Sequence, residues 1–384
     1  MKRDWDEYRI GDIADILNGF AFKSNKYVKE GIRVIRITNV QKGYIEDTEP
    51  RYYPYSEEKT IKKYILYEGD LLMSLTGNVG RVGLLPSELL PCALNQRVGC
   101  LRIKNNNVFK QFLFHYFNSD LFENKCIAAS SGVAQMNMST EWLKEQTIFI
   151  PSLSEQKRIV VILDKEFEKI DALKENAEKN LQNAKDLFQA ALKKELEPKK
   201  GWKQYLFEDL CTFNKEQGVY PQLKYIGMEN IVSGAGTTIG FQDGSTIQGT
   251  SFRFYKGEVL YGRLRPYLKK VFVAEFDGCC STEVFPIRTK GIIPHYLKYW
   301  FLTDSITDRI NATCGGCRMP RANMNDVKQF VLSIPNIDIQ KQIVSRLDKL
   351  NTKCKELQDN YDKTITLCDD LKQALLRKAF NGEL

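Results

Sequence analysis

A stretch of 46 residues from Pro151 to Leu196, PSLSEQKRIVVILDKEFEKIDALKENAEKNLQNAKDLFQAALKKEL, returns 184 residues later. The second copy, from Pro335, reads PNIDIQKQIVSRLDKLNTKCKELQDNYDKTITLCDDLKQALLRKAF. The register holds without insertion and pairs Ile150 with Ile334, Gln156 with Gln340, Ile159 with Ile343 and Leu163 with Leu347. It also pairs Asp164 with Asp348, Gln189 with Gln373 and Ala190 with Ala374. Neither copy holds Gly or Pro after its opening Pro, and both are rich in Lys, Glu, Leu, Asn and Gln. In the second copy the apolar positions Ile343, Leu347, Leu350, Cys354, Leu357 and Tyr361 advance in alternate steps of four and three. That is the seam of a coiled coil, narrower than the apolar stripe of a helix lying on a core. The first copy runs Ile159, Leu163, Phe167, Ile170, Leu173, Ala177, Leu181, Ala184 and Phe188. Two helices of this kind, each about 60–68 Å long at the usual rise, are expected to pair with each other.

The 384 residues exceed what one core usually serves, so two or three domains are expected. Hydrophobic residues make up 43% and charged residues 27%, the composition of a soluble globular protein. The start, MKRDWDEYRI, lacks an apolar signal core, and no apolar run reaches the length of a membrane span. A cytoplasmic protein without membrane contact is expected, and its ten cysteines read as reduced thiols.

The net charge of +8 is unevenly spread. Residues 1–151 carry 20 basic and 18 acidic side chains, and residues 198–335 carry 18 and 12. The stretches between and after them are neutral within one charge: residues 152–197 hold 9 basic and 10 acidic, residues 336–384 hold 9 and 8. Basic globules on a neutral scaffold point to a polyanionic partner.

The chain therefore divides into a globular segment, 1–151, a long helix, 152–198, a second globular segment, 199–335, and a C-terminal long helix, 336–384. In the first globule, IRVIRITNV (32–40), YILYEGDLLMSL (64–75) and VGCLRIK (98–104) read as strands, and Phe109–Asn124 as helical. Glu197-Pro-Lys-Lys-Gly201 stops the first long helix, and Trp202 opens the second globule as Trp5 opens the first. Tyr67-Glu-Gly-Asp70-Leu-Leu72 is echoed by Tyr255-Lys-Gly-Glu258-Val-Leu260, so the second globule repeats the plan of the first more loosely. The fold class is α+β: two mixed, mostly-β domains separated by two long paired helices. Helices that match while globules diverge suggest one mechanical task and two different ligands.

No catalytic constellation emerges. His115 and His295 are the only histidines, too few for a multi-histidine metal site. Gly234-Ala-Gly236 lacks the next glycine of a dinucleotide fingerprint at the right place, and there is no GxxxxGK[ST] loop. No Asn or Asp directly precedes a Pro, so the [ND]PP[YF] signature of amino-methyltransferases is absent. Cys314-Gly-Gly-Cys317 beside Cys279-Cys280 raises zinc, but adjacent cysteines seldom give two well-placed ligands, and no metal is expected.

The polar loops carry more. In the second globule, Arg263, Arg265, Tyr267, Lys269 and Lys270 crowd one loop, and Arg318, Arg321 and Asn323 follow a glycine-rich turn. Arginine reads guanine edges or clamps phosphate, and glycine permits close backbone approach. The first globule offers Thr76, Asn78 and Arg81; Asn95, Gln96 and Arg97; and Ser131, Gln135 and Asn137. Asparagine and glutamine suit the paired donor and acceptor of adenine. These are the candidate DNA-contacting residues.

At this point the sequence resembles the specificity subunit of type I restriction-modification systems, over essentially its whole length. The resemblance rests on the duplicated Ile-Pro-x-x-x-x-x-Gln-x-x-Ile openings, Ile150 to Ile159 and Ile334 to Ile343. It rests also on the ending Leu376-Arg-Lys-Ala-Phe380-Asn-Gly-Glu-Leu384, the restart Lys200-Gly-Trp202, and Tyr261-Gly-Arg-Leu-Arg-Pro-Tyr-Leu-Lys-Lys-Val271. The family implies two target-recognition domains, each reading half of a bipartite, asymmetric site in double-stranded DNA. It implies antiparallel pairing of the helices about a pseudo-two-fold internal repeat, with the helices setting the gap and docking two methyltransferase subunits. Those partners use S-adenosylmethionine to methylate adenine at N6, nuclease/translocase subunits join them in host defence, and this chain itself binds no cofactor and is not an enzyme. The weak charge of the first globule leaves much of the phosphate contact to the partners.

Three rivals differ in class. A coiled-coil adaptor explains the helices but not the polar loops. A freestanding methyltransferase needs cofactor motifs that are missing. A specificity subunit from a related restriction class with fused catalytic partners is distinguished by its neighbouring genes.

Overall fold

In the computed structural model, which describes residues 4–130, 137–315 and 318–384, the strand that opens each globule pairs with the strand that ends it. Asp6–Arg9 runs antiparallel to Thr147–Ile150, and Lys203–Leu206 runs antiparallel to Val331–Ile334. Pro151 and Pro335 follow directly, ending the strands and leaving room for a helix. The two long helices span Leu153–Leu196 and Ile337–Asn381. Two units result, one of residues 1–176 with 364–384, the other of residues 177–363. Each joins a globule to the first part of one long helix and the last part of the other.

Both globules are built around a four-stranded antiparallel sheet. In the first its order is Ala14–Asn18, Val98–Ile103, Leu71–Ser74, Val82–Leu84; in the second it is Cys211–Phe213, Val284–Thr289, Val259–Gly262, Val271–Val273. A second, mixed sheet accompanies each, with three strands in the first globule and five in the second. Short helices cover the four-stranded sheets and share their cores with the long ones: Lys110–Phe117 and Asp120–Ser130, answered by Pro294–Leu302 and Asp304–Asn311. The helical run expected over Phe109–Asn124 is thus broken at Asn118–Ser119. There Asn118 Nδ2 donates to Phe114 O at 2.9 Å and Ser119 Oγ to Tyr116 O at 2.5 Å, the latter occupying the carbonyl that Asp120 N would meet in a continuing helix.

Glutamines, two of them buried, tie the globules to the helices. Gln156 is fully buried: its Oε1 accepts from Phe109 N at 2.7 Å, and its Nε2 donates to Asn107 O and Pro151 O, both at 2.8 Å. Gln340 repeats this in the second unit, accepting from Ile293 N at 2.9 Å and donating to Pro335 O at 3.0 Å and Gly291 O at 3.5 Å. From the other helix, Gln373 enters the Asn118–Ser119 break, accepting from Asp120 N at 2.8 Å and donating to Asn118 O at 3.3 Å. Gln189 makes the donor half of that contact, to Leu302 O at 3.2 Å, and its Oε1 is buried without a protein partner.

Helix pairing within the first unit is antiparallel. Asp171 pairs with Lys372 and Lys174 with Asp369 at 2.7 Å, partner numbers falling as helix numbers rise. Ile159, Val160 and Leu163 share one core with Leu376, Ala379 and Phe380. In the second unit Ile343, Leu347 and Cys354 share a core with Phe188 and Leu192, and Arg346 grips Glu195 at 2.6 Å. Ile170 is buried, and Leu181, Leu350 and Tyr361 are half-buried. Leu173 and Leu357 depart from the expected seam, being 52% and 41% exposed. The steps from Ile170 and Cys354 fall instead on Lys174 and Gln358, one residue further on and half-buried. The Lys174 stem can cover apolar surface while its ammonium meets Asp369. Hydrophobicity alone selects the leucine; the rotation of the helix selects its neighbour.

A titratable group distinguishes the two units. His115 Nε2 lies 2.8 Å from Asp164 Oδ1, and the equivalent contact in the second unit is Tyr299 Oη to Asp348 Oδ1. Burial lowers the His115 pKa from its ordinary 6.5, outweighing Asp164, which raises it, while Lys372 adds to the lowering. A base whose folded pKa is depressed takes up protons on unfolding, so stability falls as pH drops through about 6.5.

Two outcomes follow for thermal or urea unfolding. Leu163→Ala is expected to destabilise by about 2–5 kcal/mol, whereas Leu173→Ala should stay within roughly 0.5 kcal/mol; similar losses would refute this seam. Between pH 7.5 and 5.5 the wild type should lose more stability than His115→Tyr, which carries the second unit's residue. Parallel pH curves would show that His115 does not titrate in that range.

Candidate nucleic-acid interface

The polar loops of each globule converge at the ends of its four-stranded sheet. In the first, Thr76 bridges Asn137, Met138 N donates to Leu75 O at 2.8 Å, and Leu75 N donates to Arg97 O at 3.0 Å. These contacts bring 76–81, 95–97 and Asn137 into one cluster. Gly80, at φ +80°, is required there, because a Cβ would stand 2.9 Å from Cys126 Sγ. Asn78, Gln96, Arg97 and Asn137 are exposed, and Thr76 is half-buried. Arg81 is turned inward, its Nη1 donating to Gln41 Oε1 at 2.7 Å, and Asn95 Oδ1 accepts from Arg97 N at 3.2 Å. Ser131 and Gln135 lie outside the described residues.

The second globule repeats the cluster. Leu264 bridges Arg321, Ala322 N donates to Arg263 O at 2.9 Å, and Arg263 N donates to Glu283 O at 2.9 Å. Leu75, Arg97 and Asn137 of the first cluster thus correspond to Arg263, Glu283 and Arg321 of the second. One scaffold carries two different sets of side chains.

Between Arg263 and Lys270 the backbone is strained, with Arg265 at φ +51° and Lys269 at φ +48° around the turn Pro266–Leu268. Left-handed non-glycine residues cost of order 1–2 kcal/mol each and persist where their surroundings dictate them. Here Gly234 N donates to Leu268 O at 3.1 Å, Arg265 N donates to Pro320 O at 2.8 Å, and Lys269 pairs with Asp304. The turn leaves Arg265 and Tyr267 exposed, and Arg318 is exposed beyond it. Lys269 and Lys270 fasten the loop rather than project from it: the Lys269 side chain is 14% exposed, and Lys270 Nζ donates to Met228 O. Asn323 is also committed, its Oδ1 accepting from Asn325 N at 3.1 Å to cap the helix Met324–Lys328. Ser139 caps the matching helix, Thr140–Glu145, in the first unit.

Glu283 is the residue sequence reasoning missed. Its Oε2 accepts from Arg263 Nε at 2.8 Å and its Oε1 from Arg321 Nε at 2.9 Å. Burial alone would raise this carboxyl, but the two guanidiniums outweigh it and hold its pKa below the ordinary glutamate value. The available signal was its place in the repeated plan, opposite Arg97.

Among the described residues no three His, Cys, Asp or Glu side chains gather as metal ligands. Cys279 and Cys280 are buried in a strand, where burial raises both thiol pKa values. A cleft of about 770 Å³ in the first unit is lined by Tyr44, Phe167 and polar groups already paired, including His115 with Asp164 and Lys372 with Asp171. It offers no nucleophile with an adjacent base.

A family model described as the type I restriction modification DNA specificity domain matches residues 2–183 and 199–367. The chain is 24% identical to the type I restriction enzyme EcoKI specificity subunit of Escherichia coli K12, over 100% of its own length and 90% of that protein's. It is 32% identical to the EcoDI specificity subunit of Escherichia coli over 46% of its length, a match spanning 40% of that relative. The fold is similar to that of the HsdS subunit from Thermoanaerobacter tengcongensis, with a TM-score of 0.54 at 18% identity over 100% and 98% of the two chains. It is also similar to a chain solved in work on complex assembly and conformational transition of the type I R-M system, with a TM-score of 0.76 at 18% identity over 100% and 99%. With both of its globules matched by that model, the chain belongs to the type I restriction modification DNA specificity family.

Proposed function

We propose that this chain is the DNA-reading subunit of a type I restriction-modification complex, each globule reading one half of a bipartite, asymmetric site. The observation that carries this reading is the pair of equivalent loop clusters, built alike in backbone and unlike in side chains. Two readers of one construction and different chemistry suit two different half-sites. The second cluster, rich in arginine, suits guanine edges and phosphate, and the exposed amides of the first suit adenine.

In this reading the long helices set the gap between half-sites and carry two methyltransferase subunits, which bind S-adenosylmethionine and methylate adenine at N6. Nuclease/translocase subunits complete the complex in the cytoplasm. The chain itself contributes no catalytic group and binds no cofactor, in keeping with the cofactor loop and amino-methyltransferase signature missing from its sequence. Among the described residues, no helix is long and apolar enough to cross a membrane.

Methylome sequencing of the host with and without the gene tests the proposal. The expected result is a two-part, non-palindromic motif whose adenine modification disappears with the gene. Modification that persists, or loss of a continuous palindromic motif instead, would contradict it.

A further inference from the structure

The carboxylate of Glu283 holds two guanidiniums at once, each through Nε. Bonding through Nε leaves the Nη1/Nη2 edge of each arginine clear of the carboxylate. That edge presents paired N–H donors, the arrangement that meets O6 and N7 of guanine in the major groove. Arg263 is steadied further, its Cζ lying 5.3 Å from the centre of the Phe285 ring. The side chains of Arg263 and Arg321 nevertheless remain 33% and 44% exposed, open to a ligand. A pair this exposed adds little to stability, and a carboxylate near a polyanion weakens general attraction. Its advantage lies in orientation.

We infer, resting on the reading that this loop cluster meets DNA, that Glu283 is a positioning residue fixing Arg263 and Arg321 as a pair of guanine readers. It thereby sets a guanine preference in the half-site of the second globule. The first globule has no such fork, since Leu75, Arg97 and Asn137 occupy the equivalent places. The preference therefore belongs to one half of the site only.

The test uses the full-length chain co-purified with the methyltransferase subunit, and a pool of random duplexes as the probe. Bound duplexes are sequenced, and affinity is measured for the enriched site and for the unselected pool. The wild type should enrich a two-part motif with guanine in one half. Glu283→Gln should lower the preference for that guanine about tenfold, leave the other half unchanged, and bind the unselected pool as well as or better than wild type, since a negative charge is gone. Glu283→Asp should restore part of the preference. Arg321→Lys, at an exposed position, should relax one base of the same half.

The inference is overturned if Glu283→Gln enriches the same motif with the same affinity, if both halves and pool binding fall together, or if neither half contains guanine. A wild type that enriches no motif would overturn the proposed function as well.

Discussion

The buried amide of Gln156, with its counterpart Gln340, is the interaction on which the rest of the architecture depends. A primary amide enclosed by protein must find partners for its oxygen and both amide hydrogens, and each group left unmade costs about 1–3 kcal/mol. Gln156 finds them on Phe109, Asn107 and Pro151. One side chain of the long helix thereby locks the start of a covering helix and the proline turn that ends the closing strand. Gln373 repeats the device from the other helix at the Asn118–Ser119 break. Each globule is thus held to its helices by directional bonds as well as by apolar packing, which alone tolerates sliding. Loops mounted on such a base keep their orientation.

Much of this architecture was legible in the sequence. The 184-residue repeat and the absence of Gly and Pro made two long helices necessary, and both are present. The role of the repeated glutamines was not legible, because Phe109 lies 47 residues from Gln156 in sequence. The break at Asn118–Ser119 was hidden for a similar reason: its exposed backbone groups are satisfied by Gln373, more than 250 residues away. Periodicity fixed Cys354 and Tyr361 but not which flank between them turns inward, so Leu357 took the place that belongs to Gln358.

The candidate site was legible as a set of loops and less so as a set of side chains. Composition located the arginine-rich loop of 263–270 and its partner around 318–323, which the backbone brings together. It could not separate side chains that project from those that brace the loop. Lys269, Lys270, Asn323 and Arg81 bond to neighbouring protein groups, and nothing local in their sequence marks that difference. Glu283 escaped notice because a single glutamate ordinarily reads as a solvated face. Its meaning comes from two arginines, one 20 and the other 38 residues away.

In the proposed function the two loop clusters read opposite halves of one DNA site. Site-specific photo-crosslinking tests it most directly. A photoreactive amino acid replaces Gln96 in one full-length preparation and Tyr267 in another, both exposed positions. Each is irradiated in complex with a duplex carrying the methylated motif. Gln96 crosslinks are expected to map to one half of the motif and Tyr267 crosslinks to the other, across the unread gap. Crosslinks from both positions in the same half, or in the gap alone, would contradict it.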